Sequence, residues 1–82
     1  MLSTNEIYDK LRGYLEEMFE VAPEKINLEA RLFEDLDLDS IDAIDLIAKI
    51  QEISGKKIRP EQFKTVRTVG DVVERVHELI NE

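Results

Sequence analysis

The chain contains no cysteine and a single histidine, His77. Without a thiol, disulfide staples, cysteine nucleophiles and thiolate metal sites are all excluded. Long apolar runs are missing too. No stretch approaches the roughly 18 residues of a membrane span, and Met1-Leu2-Ser3-Thr4-Asn5-Glu6 has no basic segment leading into an apolar one. A soluble cytoplasmic protein is therefore expected. Basic residues are scarce: 11 Lys and Arg face 19 Asp and Glu, a net charge of −8 over 82 residues. Phosphate-backbone binding needs clustered Lys and Arg to replace counterions, so a nucleic-acid partner is not expected. A field this negative favours basic protein partners found by electrostatic steering.

What is present is apolar enough to fold. Hydrophobic residues make up 43% of the chain, too many for a solvating acidic tail, and the length suits one domain over residues 1–82 with no second core. The negative excess is uneven, because residues 1–55 carry five bases and fourteen acids whereas residues 56–82 carry six bases and five acids. Its densest part holds Glu34, Asp35, Asp37, Asp39, Asp42 and Asp45 with no Lys or Arg among them. Like charges so close together repel, and a compact domain that keeps them is expected to use them.

Repeats, low-complexity segments and linkers are absent. Ser3 with Glu6 three residues on forms a capping box, and Ile7, Leu11, Leu15, Met18 and Phe19 follow at helical spacing. A first helix is predicted from about residue 4 to 20, stopped by Pro23. From Val21 to Asp39 the apolar residues Ile26, Leu28, Leu32, Phe33 and Leu36 show no clean period, which predicts a long ordered loop whose apolar side chains plug the core. Loops of that length are uncommon in small domains and often functional. A second helix starts at Asp39 or Ser40, with Asp39 as cap and Asp42 in the first turn, and ends near Ser54-Gly55. Pro60 suits the first position of a short helix to about Thr65 with Phe63 inward. Thr68 and Asp71 open a last helix along the stripe Val69, Val72, Val73, Val76, Leu79 and Ile80. The fold class is all-α, with three longer helices and one short third helix.

The second helix carries two apolar faces. At 100° per residue, Ala43, Leu46, Ile47, Ile50 and Ile53 share a sector of roughly 120°, the core stripe. Ile41, Ile44 and Ala48 lie on another side, among Asp45, Gln51 and Glu52, in a face that begins beside Ser40. Two readings stand: these isoleucines cover the long loop, or they are apolar anchors ringed by negative charge for a partner.

Asp35-Leu36-Asp37-Leu38-Asp39 resembles the opening of a calcium-binding loop but fails twice. Counted from Asp35, the sixth position is Ser40 where the turn wants Gly, and the twelfth is Leu46 where a bidentate Glu is required. No metal site is expected. Nucleophilic catalysis by Ser40 needs a base in reach and an oxyanion hole; His77 sits on the flank of the last helix, and no Gly-Xaa-Ser-Xaa-Gly turn exists. An enzyme is not expected. A hydroxyl at a helix N-terminus has two other uses, as a simple cap or as the attachment point of a phosphate favoured by unpaired N–H groups and the helix dipole.

The segment Leu36-Asp37-Leu38-Asp39-Ser40-Ile41-Asp42, followed by Ala43-Ile44-Asp45-Leu46-Ile47, resembles the phosphopantetheine attachment site of acyl carrier proteins. That hallmark is Asp-Ser-Leu at the start of the second helix, with acids two and five residues after the serine, and Asp39, Ser40, Asp42 and Asp45 match it. The likeness extends to Val21–Ile26, Leu32-Phe33-Glu34-Asp35-Leu36, Ile58 and Thr68-Val69-Gly70-Asp71-Val72-Val73. It implies a four-helix up-down bundle whose interior shelters an acyl chain. It also implies that a carrier protein synthase, a phosphopantetheinyl transferase using Mg²⁺, moves phosphopantetheine from coenzyme A to Ser40. The arm's thiol then holds acyl groups for ketosynthases and other acyl-processing enzymes of fatty-acid or polyketide type. Their basic patches would meet Ile41, Ile44 and Ala48 as apolar contacts and Asp42, Asp45 and Glu52 as charges, on a monomeric carrier.

Four departures from the commonest pattern are visible: Ile41 for Leu, Asp37 for Gly, Gln51 for an acid, and the basic run Ser54-Gly55-Lys56-Lys57-Ile58-Arg59. They suggest a specialised carrier, resembling those of aryl-polyene or other dedicated type II clusters. Peptidyl and D-alanyl carriers share the implied fold, though the Gly-Gly-Xaa-Ser pattern of the former is missing. From another class, the rival is an unmodified acidic adaptor using the same face.

Overall fold

The computed structural model describes residues 3–81; Met1, Leu2 and Glu82, the ends of the expected 1–82 domain, lie outside the described residues. Three α-helices are present, α1 Thr4–Phe19, α2 Ser40–Ser54 and α3 Val69–Ile80, with 3₁₀ helices at Pro23–Lys25 and Pro60–Phe63. Each α-helix opens on a reciprocal capping box: Ser3 with Glu6, Asp39 with Asp42, and Thr68 with Asp71. In each box two N–H groups at the helix start are satisfied by side chains three residues apart in the chain, so short-range chemistry fixes where the helix begins.

The ends differ in kind. Gly55 closes α2 in the left-handed region at φ 68, where a side chain would be strained. Glu20 closes α1 at φ 54 and donates its N–H to the Leu15 carbonyl, so the helix has already ended before Pro23. The four-helix count is corrected here. The short third helix expected at Pro60–Thr65 is a four-residue 3₁₀ helix, with Gln62 N–H donating to the Arg59 carbonyl and Lys64 N–H to the Glu61 carbonyl. It is held from outside: Arg75 Nε donates to the Gln62 carbonyl at 2.8 Å, and the Gln51 side chain accepts the Ile58 N–H at 2.8 Å. Those anchors from α3 and α2 leave the segment too short to continue into an α-helical repeat.

The α1–α2 connection is long but not structureless. Asn27 Oδ1 accepts the Glu29 N–H at 2.9 Å, and Arg31 and Thr68 form an antiparallel bridge beside which Leu32 N–H reaches the Arg67 carbonyl. The loop in turn caps α3, because its Ala30 and Leu28 carbonyls accept the N–H groups of Val69 and Gly70. A Cβ on Gly70 would stand 2.9 Å from the Leu28 carbonyl oxygen, so this close approach requires glycine. Ile26, Leu32 and Leu36 fill the core as expected, together with Leu38, whereas Leu28 and Phe33 do not: they are 53% and 47% exposed. Both sit in turns, Leu28 between exposed Asn27 and Glu29 and Phe33 next to buried Leu32.

The core joins Ile7, Leu11 and Leu15 of α1, Leu46 and Ile50 of α2, and Val69, Val72, Val73, Val76 and Leu79 of α3. Every side chain in it is apolar, and at ~0.8 kcal/mol per buried methylene this burial is the main stabilising term. Ala43, Ile47 and Ile53, also expected on the α2 core stripe, are half-buried.

Candidate functional site

The site begins in the four residues before α2. Leu36 and Leu38 point inward and are buried, and Asp37 and Asp39 between and after them point out. The Leu36 N–H donates to the Arg31 carbonyl and the Leu38 N–H to the Leu32 carbonyl, which fixes the approach. Between them Asp37 is left-handed at φ 56, a conformation natural to glycine and tolerated by Asp and Asn. The glycine expected at this position in the commonest carrier pattern thus has a backbone reason, and Asp37 meets it at some cost.

Asp39 is the cap of α2. Its Oδ1 accepts the Asp42 N–H at 2.9 Å, and Asp42 Oδ2 accepts the Asp39 N–H at 3.2 Å. Ser40 is consequently the first helical residue and not the cap. Its side chain is exposed, and its hydroxyl takes part in no hydrogen bond among the described residues. A free primary hydroxyl on the outer end of a helix N-terminus is open to derivatisation, and its neighbouring amides suit an attached phosphate.

Along the outer side of α2, Ile41 and Ile44 are 69% and 57% exposed, and Asp45, Ala48 and Glu52 are exposed beside them. The loop-cover reading of these isoleucines is excluded by that exposure. Asp42 stands at the margin, half-buried and engaged with Asp39. Glu52 is approached by Lys49 Nζ at 3.4 Å, an exposed pair worth little in water, while Lys49 also lies 6.0 Å from the Tyr14 ring centre. The surface is two apolar anchors in a negative rim.

On the inward side, Ala43 and Ile47 follow Ser40 at three and seven residues, the same side of the helix. They line an apolar cavity of about 50 Å³ with Leu32, Phe33, Leu38 and Phe63. Sequence reasoning missed Leu38 as a wall of this cavity, although the alternation of Leu and Asp before Ser40 was its signal. His77 is half-buried on α3 and makes no bond with Ser40. Among the described residues no group of three or more His, Asp or Glu is placed to hold a metal ion.

Charge at the loop is organised around Arg31. Its backbone N–H donates to Asp35 Oδ2 at 2.8 Å and its guanidinium pairs with Glu34 at 2.7 Å. The backbone N–H and then the guanidinium hold the Asp35 carboxyl below its ordinary range, and Asp35 with Glu34 raises the Arg31 value.

Comparison with known proteins agrees with this geometry. The family described as "Phosphopantetheine attachment site" matches residues 9–76. "Acyl carrier protein 2" of Ralstonia nicotianae is 49% identical over 79 residues, covering 96% of this chain and 98% of that one. "Acyl carrier protein" of Coprothermobacter proteolyticus is 33% identical, covering 89% of each chain. That of Thermotoga maritima is 31% identical over 98% of this chain and 99% of its own.

Proposed function

Because the chain belongs to the acyl carrier proteins of the phosphopantetheine attachment family, we propose that Ser40 is its attachment residue and the outer face of α2 its docking surface. The protein is a carrier and not an enzyme, and it bears acyl groups as thioesters on covalently attached phosphopantetheine. When bound, the arm supplies the terminal thiol that forms the thioester, which is how a chain with no cysteine takes part in thiol chemistry. The chain's own residues present it. Asp39 caps the helix in place of Ser40 and so leaves the hydroxyl free, and the first-turn amides face the phosphodiester.

The single observation that carries the assignment is that free, exposed Ser40 hydroxyl at the head of α2. Around it, Ile41, Ile44 and Ala48 serve as anchors and Asp45 and Glu52 as steering charges, with Asp42 at the edge in a capping role as much as a docking one. The transferase and later the ketosynthases and other acyl-processing enzymes meet this face with basic patches, and residues 1–82 act as one carrier domain. No helix among the described residues is long and apolar enough to cross a membrane. The basic run Lys56-Lys57-Ile58-Arg59 supports a dedicated pathway over the central fatty-acid one, since it lays positive charge beside an otherwise acidic carrier.

One experiment tests the reading in two steps. Incubation with coenzyme A and a phosphopantetheinyl transferase is expected to add one arm by intact mass to the wild type and none to Ser40→Ala. The holo protein is then offered to housekeeping ketosynthases and to those encoded beside its own gene, where faster turnover is expected. No arm on the wild type, or an arm on Ser40→Ala, removes the attachment assignment; preference for the housekeeping enzymes removes the dedicated pathway.

A further inference from the structure

The apolar cavity along the inner side of α2, whose helical wall begins at Ala43 three residues after Ser40, is small for an acyl cargo. It runs beside α2 from Ala43 to Ile50 and is closed by Leu32, Leu38 and Leu46, by Val66 and Val72, and by two aromatic rings, Phe33 and Phe63. Ala43 and Ile50 lie seven residues apart, about 10 Å along a helix, so its length is that of a medium acyl chain. Its volume is not: a single water-sized group needs about 10–15 Å³, so about 50 Å³ takes roughly three to five such groups in line.

The two rings differ in how firmly they stand. Phe33 is 47% exposed on a bend of the α1–α2 loop. Phe63 is half-buried against the core and ends a 3₁₀ helix that is fastened on both sides. Its neighbour Gln62 gives its carbonyl to Arg75 Nε of α3, and Ile58 before it gives its N–H to the Gln51 side chain of α2. The Phe63 carbonyl also accepts the Val66 N–H. The anchored backbone keeps Phe63 at the cavity wall, and its ring, packed against the core, can leave only by rotating into occupied space, whereas the half-exposed Phe33 ring can turn toward water.

We propose that Phe63 sets the size of the acyl chain this carrier can shelter, admitting short saturated chains of about four to six carbons and leaving longer ones partly in water. This rests on the attachment of the arm at Ser40. Each methylene that leaves water is worth ~0.8 kcal/mol, or about 3–6 °C in the melting temperature of a domain this size, so sheltering is read as a rise in melting temperature with chain length.

The test loads the protein directly with butyryl, hexanoyl, octanoyl and decanoyl coenzyme A through the transferase, confirms each product by intact mass, and melts it against the unacylated holo form of the same variant. For the wild type the melting temperature is expected to rise to hexanoyl and then level off. For Phe63→Ala the rise is expected to continue to decanoyl, and Phe63→Leu, a milder truncation, carries the same comparison if Phe63→Ala does not fold. Phe33→Ala is expected to level off where the wild type does. A wild type that keeps gaining to decanoyl, or Phe63 variants that level off at hexanoyl, overturns the proposal while leaving the carrier reading intact. Wild type that gains no mass from any acyl coenzyme A overturns both.

Discussion

Asp37 shows how one residue records the demands of the loop around it. The chain needs a left-handed turn between the buried leucines 36 and 38 so that both side chains enter the core and Ser40 emerges at the helix head. Glycine meets that turn without strain, aspartate with little, and a β-branched residue with about 1–2 kcal/mol of loss or more. Asp37→Gly is therefore expected to melt no lower than the wild type, and Asp37→Val to lose about 2 kcal/mol by denaturant titration. Equal stability of the two variants would mean that φ 56 is not imposed by the fold. The turn was not legible in the sequence, since its cause is the non-local bond of Leu38 N–H to the Leu32 carbonyl; what could be read was only that Asp replaced an expected Gly. Asp39 was legible, because its partner Asp42 lies three residues away.

At the scale of elements the same division holds. The starts of α1, α2 and α3 could be read because a capping box is written within four consecutive residues, and the end of α2 because Gly55 marks it. The Pro60 segment could not, since proline at a first position suits an α-helix and a 3₁₀ helix equally, and Arg75 and Gln51 decide between them from elsewhere in the chain. Lys56 is a parallel case: visible in the sequence only as part of a basic run, it donates from Nζ to the Leu79 carbonyl at 2.7 Å and so closes the C-terminus of α3, where a cation suits the dipole. The opposite end of α3 gives a pH dependence. Asp71 accepts the N–H groups of Arg67 and Thr68, and those bonds, Arg67 first, hold its carboxyl below the ordinary carboxylate range. A depressed folded-state value means stability that is fully present above the unfolded-state value and is lost as pH falls through the lower one. Asp71→Asn is accordingly expected to be less stable than the wild type at pH 7 and to lose less on going from pH 5 to pH 2. Parallel acid limbs for the two proteins, in denaturant midpoints measured across that range, would place the effect elsewhere.

Over the whole molecule the net charge of −8 acts in two directions at once. Within the folded chain it is self-repulsion, concentrated where Asp37, Asp39, Asp42 and Asp45 crowd the head of α2, and only Arg31 and Lys49 pair with acids in the first two helices and their connection among the described residues. Toward a basic enzyme the same charges are attraction. Salt screens both, with a Debye length falling from about 30 Å at 0.01 M to about 3 Å at 1 M, so it must stabilise the apo protein while weakening its capture. The expected result is a melting temperature that rises over that range while kcat/KM for the transferase falls by at least about tenfold, within the 10–10³ that steering supplies. Asp45→Lys separates the two roles, because Asp45 is exposed, lies on the proposed docking face and, among the described residues, makes no hydrogen bond or ion pair of the kind Asp39 and Asp42 share. Replacing it removes one charge from the crowd and adds its opposite, so the variant is expected to melt no lower than the wild type at low salt yet to be loaded more slowly, with a shallower dependence on salt. If it is loaded at the wild-type rate with the wild-type salt dependence, the outer face of α2 is not where the transferase docks, and the exposed pair Ile41 and Ile44 needs another partner.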